Sequence, residues 1–255
     1  MTIQHRPVNP DNPLSTFFNV LAEDLQMLAT LHIREPDGDF LQILKDERFP
    51  SGLGLRLTSE LGLKASDAAT RVIAMLPEAP DQKAMDELAA DYAGIYLNHS
   101  IQASPEESVW IDEENLTYQD SMFQVREWYG RYGMSAPNWR IRPDDHLVLQ
   151  LEFVGLLLTG EVGHQRLQEV ARFMDEHLLR WLMDFTERVA AKCDTDYFAS
   201  VAMLTGAYCE ELRDLIADVL NQPRPTKEEI DERMKPNPRE DPVPVAFVPG
   251  VGPAV

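Results

Sequence analysis

From Phe17 onward the apolar side chains of this chain return every three or four positions, the spacing that places them on one face of an α-helix; Phe17, Leu21, Leu25, Leu28 and Leu31 are the first such series. No stretch of strand-like alternation competes with it. Asp11 or Asn12 can cap this first helix, Pro13 suits its first turn, and Pro36-Asp37-Gly38 breaks the chain after it. A short helix follows near Phe40 to Lys45, and the same spacing predicts helices over about 59–76, 81–97, 114–132, 144–160, 165–190 and 195–220. Within 144–160, Leu147, Leu151, Val154 and Leu158 form one stripe that Leu149, Phe153, Leu156 and Leu157 widen, so this helix belongs at the centre of the body. Phe173, His177, Leu178, Trp181 and Phe185 line one side of the next long helix and are read as core. The fold class is all-α, a single-domain helical bundle.

The helical pattern stops at Asn221. Eight prolines fall within 222–255, a density that prevents sustained helix, so this stretch reads as a proline-rich, mostly extended or disordered tail. The expected organisation is a flexible N-terminus over 1–13, a helical domain over 14–221 and the tail over 222–255. At 255 residues the chain can bury a sizeable core.

A formal net charge of -20 argues against nucleic acid as a partner, because no basic stripe offsets it, and favours a cationic one. Cys193 and Cys209 have neither zinc-site spacing nor the number needed for a disulfide framework, which implies a reducing compartment. Residues 1–13 hold no apolar run behind a basic stretch, and nowhere do about 18 consecutive apolar residues occur, so neither a secretory leader nor a membrane span is expected. The expected location is the cytoplasm.

The candidates for chemistry are few. Gly52-Leu53-Gly54 lacks the third glycine, the lysine and the preceding strand of a phosphate cradle. Glu161-Val162-Gly163-His164 has the Glu-x-x-His spacing of di-iron bundles, but it occurs once and its glycine suggests a turn. A helical-bundle metalloenzyme built on Glu161 and His164 is therefore the weaker alternative, beside a plain helical scaffold that binds no peptide. His177 reads as a buried histidine with a polar partner. No complete set of nucleophiles or metal ligands emerges, so no catalytic residue and no metal ligand is assigned and the chain is read as not an enzyme. More distinctive is Ser108-Val109-Trp110-Ile111-Asp112, followed by Asp120-Ser121, Arg126-Glu127-Trp128 and Pro143-Asp144-Asp145-His146. Asp112, Asp144 and Asp145 can all serve as helix caps. Capping leaves unexplained why His146 stands beside two of them, and why Trp110, Trp128, Tyr129, Tyr132 and Trp139 accompany them. Exposed aromatics interleaved with carboxylates make a surface that can hold an apolar segment bearing arginine.

These motifs, in this order, with Gly133 and the later His177-Leu178, Trp181 and Phe185, resemble the TorD, DmsD and NarJ family of redox-enzyme maturation chaperones, most nearly its DmsD-like branch. The resemblance spans roughly residues 80–190. It implies a TorD-like helical fold and a cytoplasmic chaperone that binds the twin-arginine signal peptide of a molybdenum-cofactor oxidoreductase, assisting cofactor insertion before export. The implied partners are that signal peptide and the apo form of the molybdoenzyme catalytic subunit, with either a monomer or a domain-swapped dimer as the binding species. It implies no cofactor of the chain's own, since the molybdenum cofactor belongs to the client, and it allows weak binding of guanine nucleotide. By position, the peptide-contact residues it implies are Tyr92, Ile95, Tyr96, Ser108, Trp110, Asp144, Asp145 and His146. Asn98-His99, Glu106-Glu107 and Arg142 depart from the family's usual residues and bear on the client rather than the fold.

Overall fold

The structure is a computed structural model that describes residues 12–78 and 80–235. Two compact units divide at Arg224, the larger being Met1–Arg224 and the smaller Pro225–Val255. Within the larger unit, α1 (Pro13–Ile33) opens as its sequence dictates: the Asn12 side chain accepts from the Ser15 amide at 3.2 Å and Pro13 occupies the first turn. Phe18, Leu21, Leu25 and Leu28 are fully buried, whereas Phe17 is only half-buried; the inward face is thus rotated slightly from the predicted stripe. At Arg34 the backbone turns extended, and Asp37 then caps α2 (Gly38–Asp46) by accepting from the Phe40 amide at 2.8 Å.

Helices α3 (Glu60–Met75), α4 (Gln82–Tyr92), α5 (Ser108–Ile111), α6 (Asp120–Arg131), α7 (Leu147–Leu158), α8 (His164–Glu176), α9 (Leu182–Lys192) and α10 (Asp196–Leu220) follow, and no strand occurs among the described residues. As the breadth of its apolar face predicts, α7 is central: Leu147, Val148, Leu151, Val154 and Leu158 are fully buried, and α1 packs more extensively on α7 than any other two helices pack together. Gly155 lies at that crossing. A Cβ there would stand 3.3 Å from the Ala22 carbonyl oxygen and 3.5 Å from Leu25 Cβ, so the missing side chain sets how closely the two axes approach. On the other side α10 packs against α9 and α3.

Three expectations need correction. The helix expected over 114–132 begins only at Asp120, because Asn115 (φ 51°) and Tyr118 (φ 64°) take left-handed backbone that no α-helix accommodates. The helix expected over 165–190 is two helices, parted at His177 (φ -128°, ψ -77°) and a short 3-10 turn, Leu178–Arg180. The tail expected to be mostly extended or disordered from 222 contains α11 (Lys227–Met234), within the smaller unit. Thr226 and Glu229 form a capping box there, bonding each other's backbone amides at 3.2 and 2.8 Å, which nucleates a helix between the prolines. Residues 1–11 and 236–255, on which the remaining expectations for both termini fall, lie outside the described residues.

Candidate functional site

At Tyr92 helix α4 passes into one wider π-type turn, Ala93–Leu97, closed by the Asn98 amide on the Ala93 carbonyl at 2.9 Å. That turn presents Ile95 and Tyr96 inward beside Tyr92. The Tyr92 and Tyr96 rings meet at a tilt of 37° with 4.9 Å between centroids, and Phe198 of α10 closes the cluster at 6.2 Å from Tyr96. The Tyr92 hydroxyl donates to the Ile33 carbonyl at 2.9 Å. Behind Tyr96 lies His32. Thr205 Oγ1 donates its proton to the Val201 carbonyl and so accepts from His32 Nε2 at 2.9 Å, which leaves His32 Nδ1 to accept from the Tyr96 hydroxyl at 2.5 Å. Burial holds His32 neutral, its pKa lowered to about 3.

The second part of the site is a segment, 104–112, laid across the start of α7. Glu106 and His146 form an isolated antiparallel bridge; the Leu147 amide donates to the Pro105 carbonyl at 2.8 Å and the Glu107 amide to the Asp145 carbonyl at 3.2 Å. Asp145 Oδ2 accepts from the Ser108 amide at 2.8 Å, capping the four-residue helix α5 from outside. Glu107, fully buried, accepts from Gln150 Nε2 of α7 at 2.6 Å and from His177 Nδ1 at 3.0 Å. Trp181 Nε1 in turn donates to Gln150 Oε1 at 3.3 Å, which fixes the amide's orientation. Glu106 accepts from the Ser104 hydroxyl. Trp110 closes the segment on itself, its indole N–H on the Ser104 carbonyl at 2.8 Å, its ring edge-on to Phe185 at 6.5 Å and under the Arg188 guanidinium at 5.2 Å.

Asp144 is held from the other side. Arg126 of α6 grips its Oδ2 through Nη2 at 2.8 Å and Nε at 3.2 Å, and the Tyr129 hydroxyl donates to its carbonyl at 2.9 Å. Neither aspartate caps α7. His146 does so, its Nδ1 accepting from the Val148 amide at 3.1 Å, and burial pushes its pKa well below the ordinary histidine value. Asp112 is likewise not the first cap of α6; it ends α5 and reaches the Ser121 hydroxyl at 2.5 Å.

Burial, then the negative charge of Asp145, raises the Glu106 carboxyl to about 7 against the restraint of the Ser104 hydroxyl. Asp145 is raised by burial to about 6, against the restraint of the Ser108 hydroxyl and amide and with Glu107 adding to the rise; its Oδ1 and the Ser108 hydroxyl, both buried, complete no hydrogen bond. The side chains of Glu106 and Asp145 thus rest on a hydroxyl and a backbone amide, not on a cation. The arrangement contains no nucleophile poised against a base. It can accept a hydrogen-bonding cation once its cover is displaced.

Sequence reasoning places these residues on a surface; the structure places most of them inside. Tyr92, Ile95 and Tyr96 form one buried cluster, Ser108, Asp144, Asp145 and His146 a second, and Trp110 is half-buried on its flank. The two clusters are neighbours, since Arg142 and His32 both act electrostatically on His146 while Arg142 also acts on Tyr92 and His32 bonds Tyr96. Trp128 and Tyr129, expected as exposed aromatics, are buried against Phe173 and Phe153. Glu107, Gln150 and His177 are not among the contacts the sequence predicts, although Glu106-Glu107 stands out there as a departure from the family pattern and His177 as a buried histidine seeking a partner. Glu161 lies exposed in the turn before α8 and His164, also exposed, opens that helix; no cluster of three metal-binding side chains occurs among the described residues. A cavity of about 270 Å³ lies elsewhere, between α1 and α7, lined by Asn19, Glu23, Gln26 and Glu152.

Among known proteins, residues 61–187 match the family described as nitrate reductase delta subunit. Chaperone protein TorD of Shewanella pealeana (strain ATCC 700345 / ANG-SQ1) is 26% identical over 228 residues, covering 86% of this chain and 96% of that protein. TorD of Photobacterium profundum is 27% identical over 200 residues, 74% of this chain and 90% of its own length. TorD of Vibrio vulnificus (strain YJ016) is 29% identical over 136 residues, where the match spans 50% of this chain and 63% of the relative.

Proposed function

Since the chain belongs to the TorD/NarJ family of redox-enzyme maturation chaperones, we propose that it binds the twin-arginine signal peptide of a molybdenum-cofactor oxidoreductase and holds back export until the cofactor is inserted. It is a member of a chaperone family and not an enzyme. Under this reading the site acts in the cytoplasm, and the partner is the apo form of the catalytic subunit, leader included. A place in the DmsD-like branch is part of the same proposal.

The observation that carries the reading is the buried carboxylate cluster of Glu106, Glu107 and Asp145, in which Asp145 Oδ1 is unbonded and the groups bonded to the Glu106 and Asp145 side chains carry no charge. A buried carboxylate without a cation is costly, and a guanidinium offers the fork that relieves it. Two backbone hydrogen bonds and the Ser108–Asp145 contact, each worth about 1 kcal/mol net, hold segment 104–108 on the start of α7 together with the bonds of Glu107 to Gln150 and His177. Displacing that segment frees Glu106 and Glu107, which it carries, and uncovers Asp145 near Tyr92 and Tyr96, on which an apolar leader can pack at ~25 cal/mol per Å². The peptide's ordering cost keeps the complex reversible, as a chaperone requires.

Isothermal titration of a synthetic twin-arginine leader against the wild type, Asp145→Ala and His146→Ala tests this, with circular dichroism confirming the fold. Asp145→Ala is expected to weaken binding tenfold or more, and so is replacing both leader arginines with glutamine. Equal affinity for the two peptides would remove arginine recognition from the site. Metal analysis of the purified protein is expected to find no stoichiometric metal.

A further inference from the structure

Arg142 stands where the two clusters of the site meet. It immediately precedes the Pro143–His146 turn, and its Nη2 donates at 3.3 Å to the Ile33 carbonyl at the end of α1, the oxygen that also accepts the Tyr92 hydroxyl at 2.9 Å. Two donors on one acceptor make the guanidinium and the phenol neighbours. The Arg142 backbone is anchored as well, its amide donating to the Asn138 carbonyl at 3.0 Å. The side chain is half-buried and forms no ion pair among the described residues, in contrast to Arg126, which is forked onto Asp144.

Its charge is felt on three sides. Burial raises the Tyr92 phenol; Arg142 opposes that rise, and the exposed Glu35, acting less strongly, adds to it. Burial lowers His146, and Arg142 is the foremost charge lowering it further, ahead of His32 and His99. Burial raises the Glu152 carboxyl on α7, against Arg142 and the Gln26 side chain. Glu152 tempers the arginine's charge on the α7 side and Glu35 does so at Tyr92, but neither pairs with it.

The site therefore has two electrostatic ends. At Glu106 and Asp145, buried carboxylates bonded to a hydroxyl and a backbone amide favour a guanidinium. At Tyr92 a half-buried arginine stands beside the apolar rings, where a like charge would be both desolvated and repelled. We infer that Arg142 is a specificity-determining residue: it bars basic side chains from the tyrosine end, so that the leader's arginines are confined to the carboxylates and an uncharged stretch lies against Tyr92 and Tyr96. This role rests on the leader-binding reading above and adds to it a rule of exclusion, which specificity requires alongside attraction.

The test titrates synthetic twin-arginine leaders, by calorimetry, into the full-length wild type and the Arg142→Lys, Arg142→Gln and Arg142→Glu proteins, each with its fold verified by circular dichroism. One pair of leaders carries Lys or Gln in place of a single leucine of the apolar half; a second pair carries the same two residues beside the arginine pair. Comparing Lys with Gln cancels the loss of apolar burial common to both. In the first pair the wild type is expected to bind the Lys peptide about tenfold more weakly than the Gln peptide, a penalty that Arg142→Lys keeps, Arg142→Gln removes and Arg142→Glu reverses. In the second pair the Lys-to-Gln ratio is expected to be the same in all the proteins. A ratio in the first pair that Arg142→Gln and Arg142→Glu leave unchanged, or a change of equal size in both pairs, overturns the role of Arg142 while leaving leader recognition in place. Failure of the wild type to bind the unsubstituted leader overturns the leader-binding reading, and the role of Arg142 with it.

Discussion

Glu106 is the residue on which the energetics of the site turn. Its carboxyl, at about 7 in the folded chain against an ordinary value of 4.5, is raised, so its contribution to stability is full below pH ~4.5 and is lost as pH climbs through 7. At 1.36 kcal/mol per unit the ceiling on that loss is roughly 3 kcal/mol. Asp145, raised to about 6, has the same sign over a lower window, from about pH 4 to 6. Urea denaturation of Glu106→Gln between pH 5 and 8 is expected to show a flatter pH dependence than the wild type and a more stable protein at pH 8. Under the proposed function the same groups govern binding. A guanidinium entering the cluster favours the ionised carboxylates, so complex formation releases protons and leader affinity is expected to rise between pH 5.5 and 8, measurable by titration calorimetry in buffers of different ionisation enthalpy. His146 is not the proton switch its position suggests: its pKa is depressed and its Nδ1 is committed to the start of α7. His146→Ala is expected to cost about 1 kcal/mol of stability through the lost cap.

At the scale of elements, the α1–α7 crossing supports the site by fixing where α7 begins. Gly155→Val would drive a branched side chain against the Ala22 carbonyl and Leu25, and is expected to destabilise the fold by about 1–3 kcal/mol, read as a lowered urea midpoint with unchanged slope. The helices themselves were largely legible, because Leu147, Leu151, Val154 and Leu158 repeat at helical spacing and the structure buries all four. Their interruptions were not. Phe173, His177, Leu178, Trp181 and Phe185 keep the helical rhythm straight through the break at His177, since residues on both sides face one core. Glu113 and Glu114 similarly imitate a first helical turn, and only the left-handed backbone at Asn115 and Tyr118 shows that the chain is still in a loop. For the site, Asp144-Asp145-His146 and Trp110 could be picked out by type and order. Their burial could not, because the covering segment, 104–112, comes from some 35 positions earlier and carries no local signal of where it lies.

For the molecule as a whole, the charge of -20 acts at a distance that no single contact shares. Within a Debye length of ~8 Å at physiological salt such a field attracts basic segments, and under the proposed function it would concentrate the leader at the surface and speed encounter. Stopped-flow association of a fluorescent twin-arginine peptide is expected to slow several-fold between 50 and 500 mM NaCl, with dissociation changing much less. A rate indifferent to salt would assign recognition to the apolar contacts alone. No helix among the described residues is long and apolar enough to cross a membrane.

One carboxylate, Glu107, serves Gln150 on α7 and His177 at the end of α8 together. A guest that pulled it outward would orphan an amide and an imidazole in the same instant, each in a place water does not reach. Half-measures are therefore expensive, and the doorway stands either shut or fully taken.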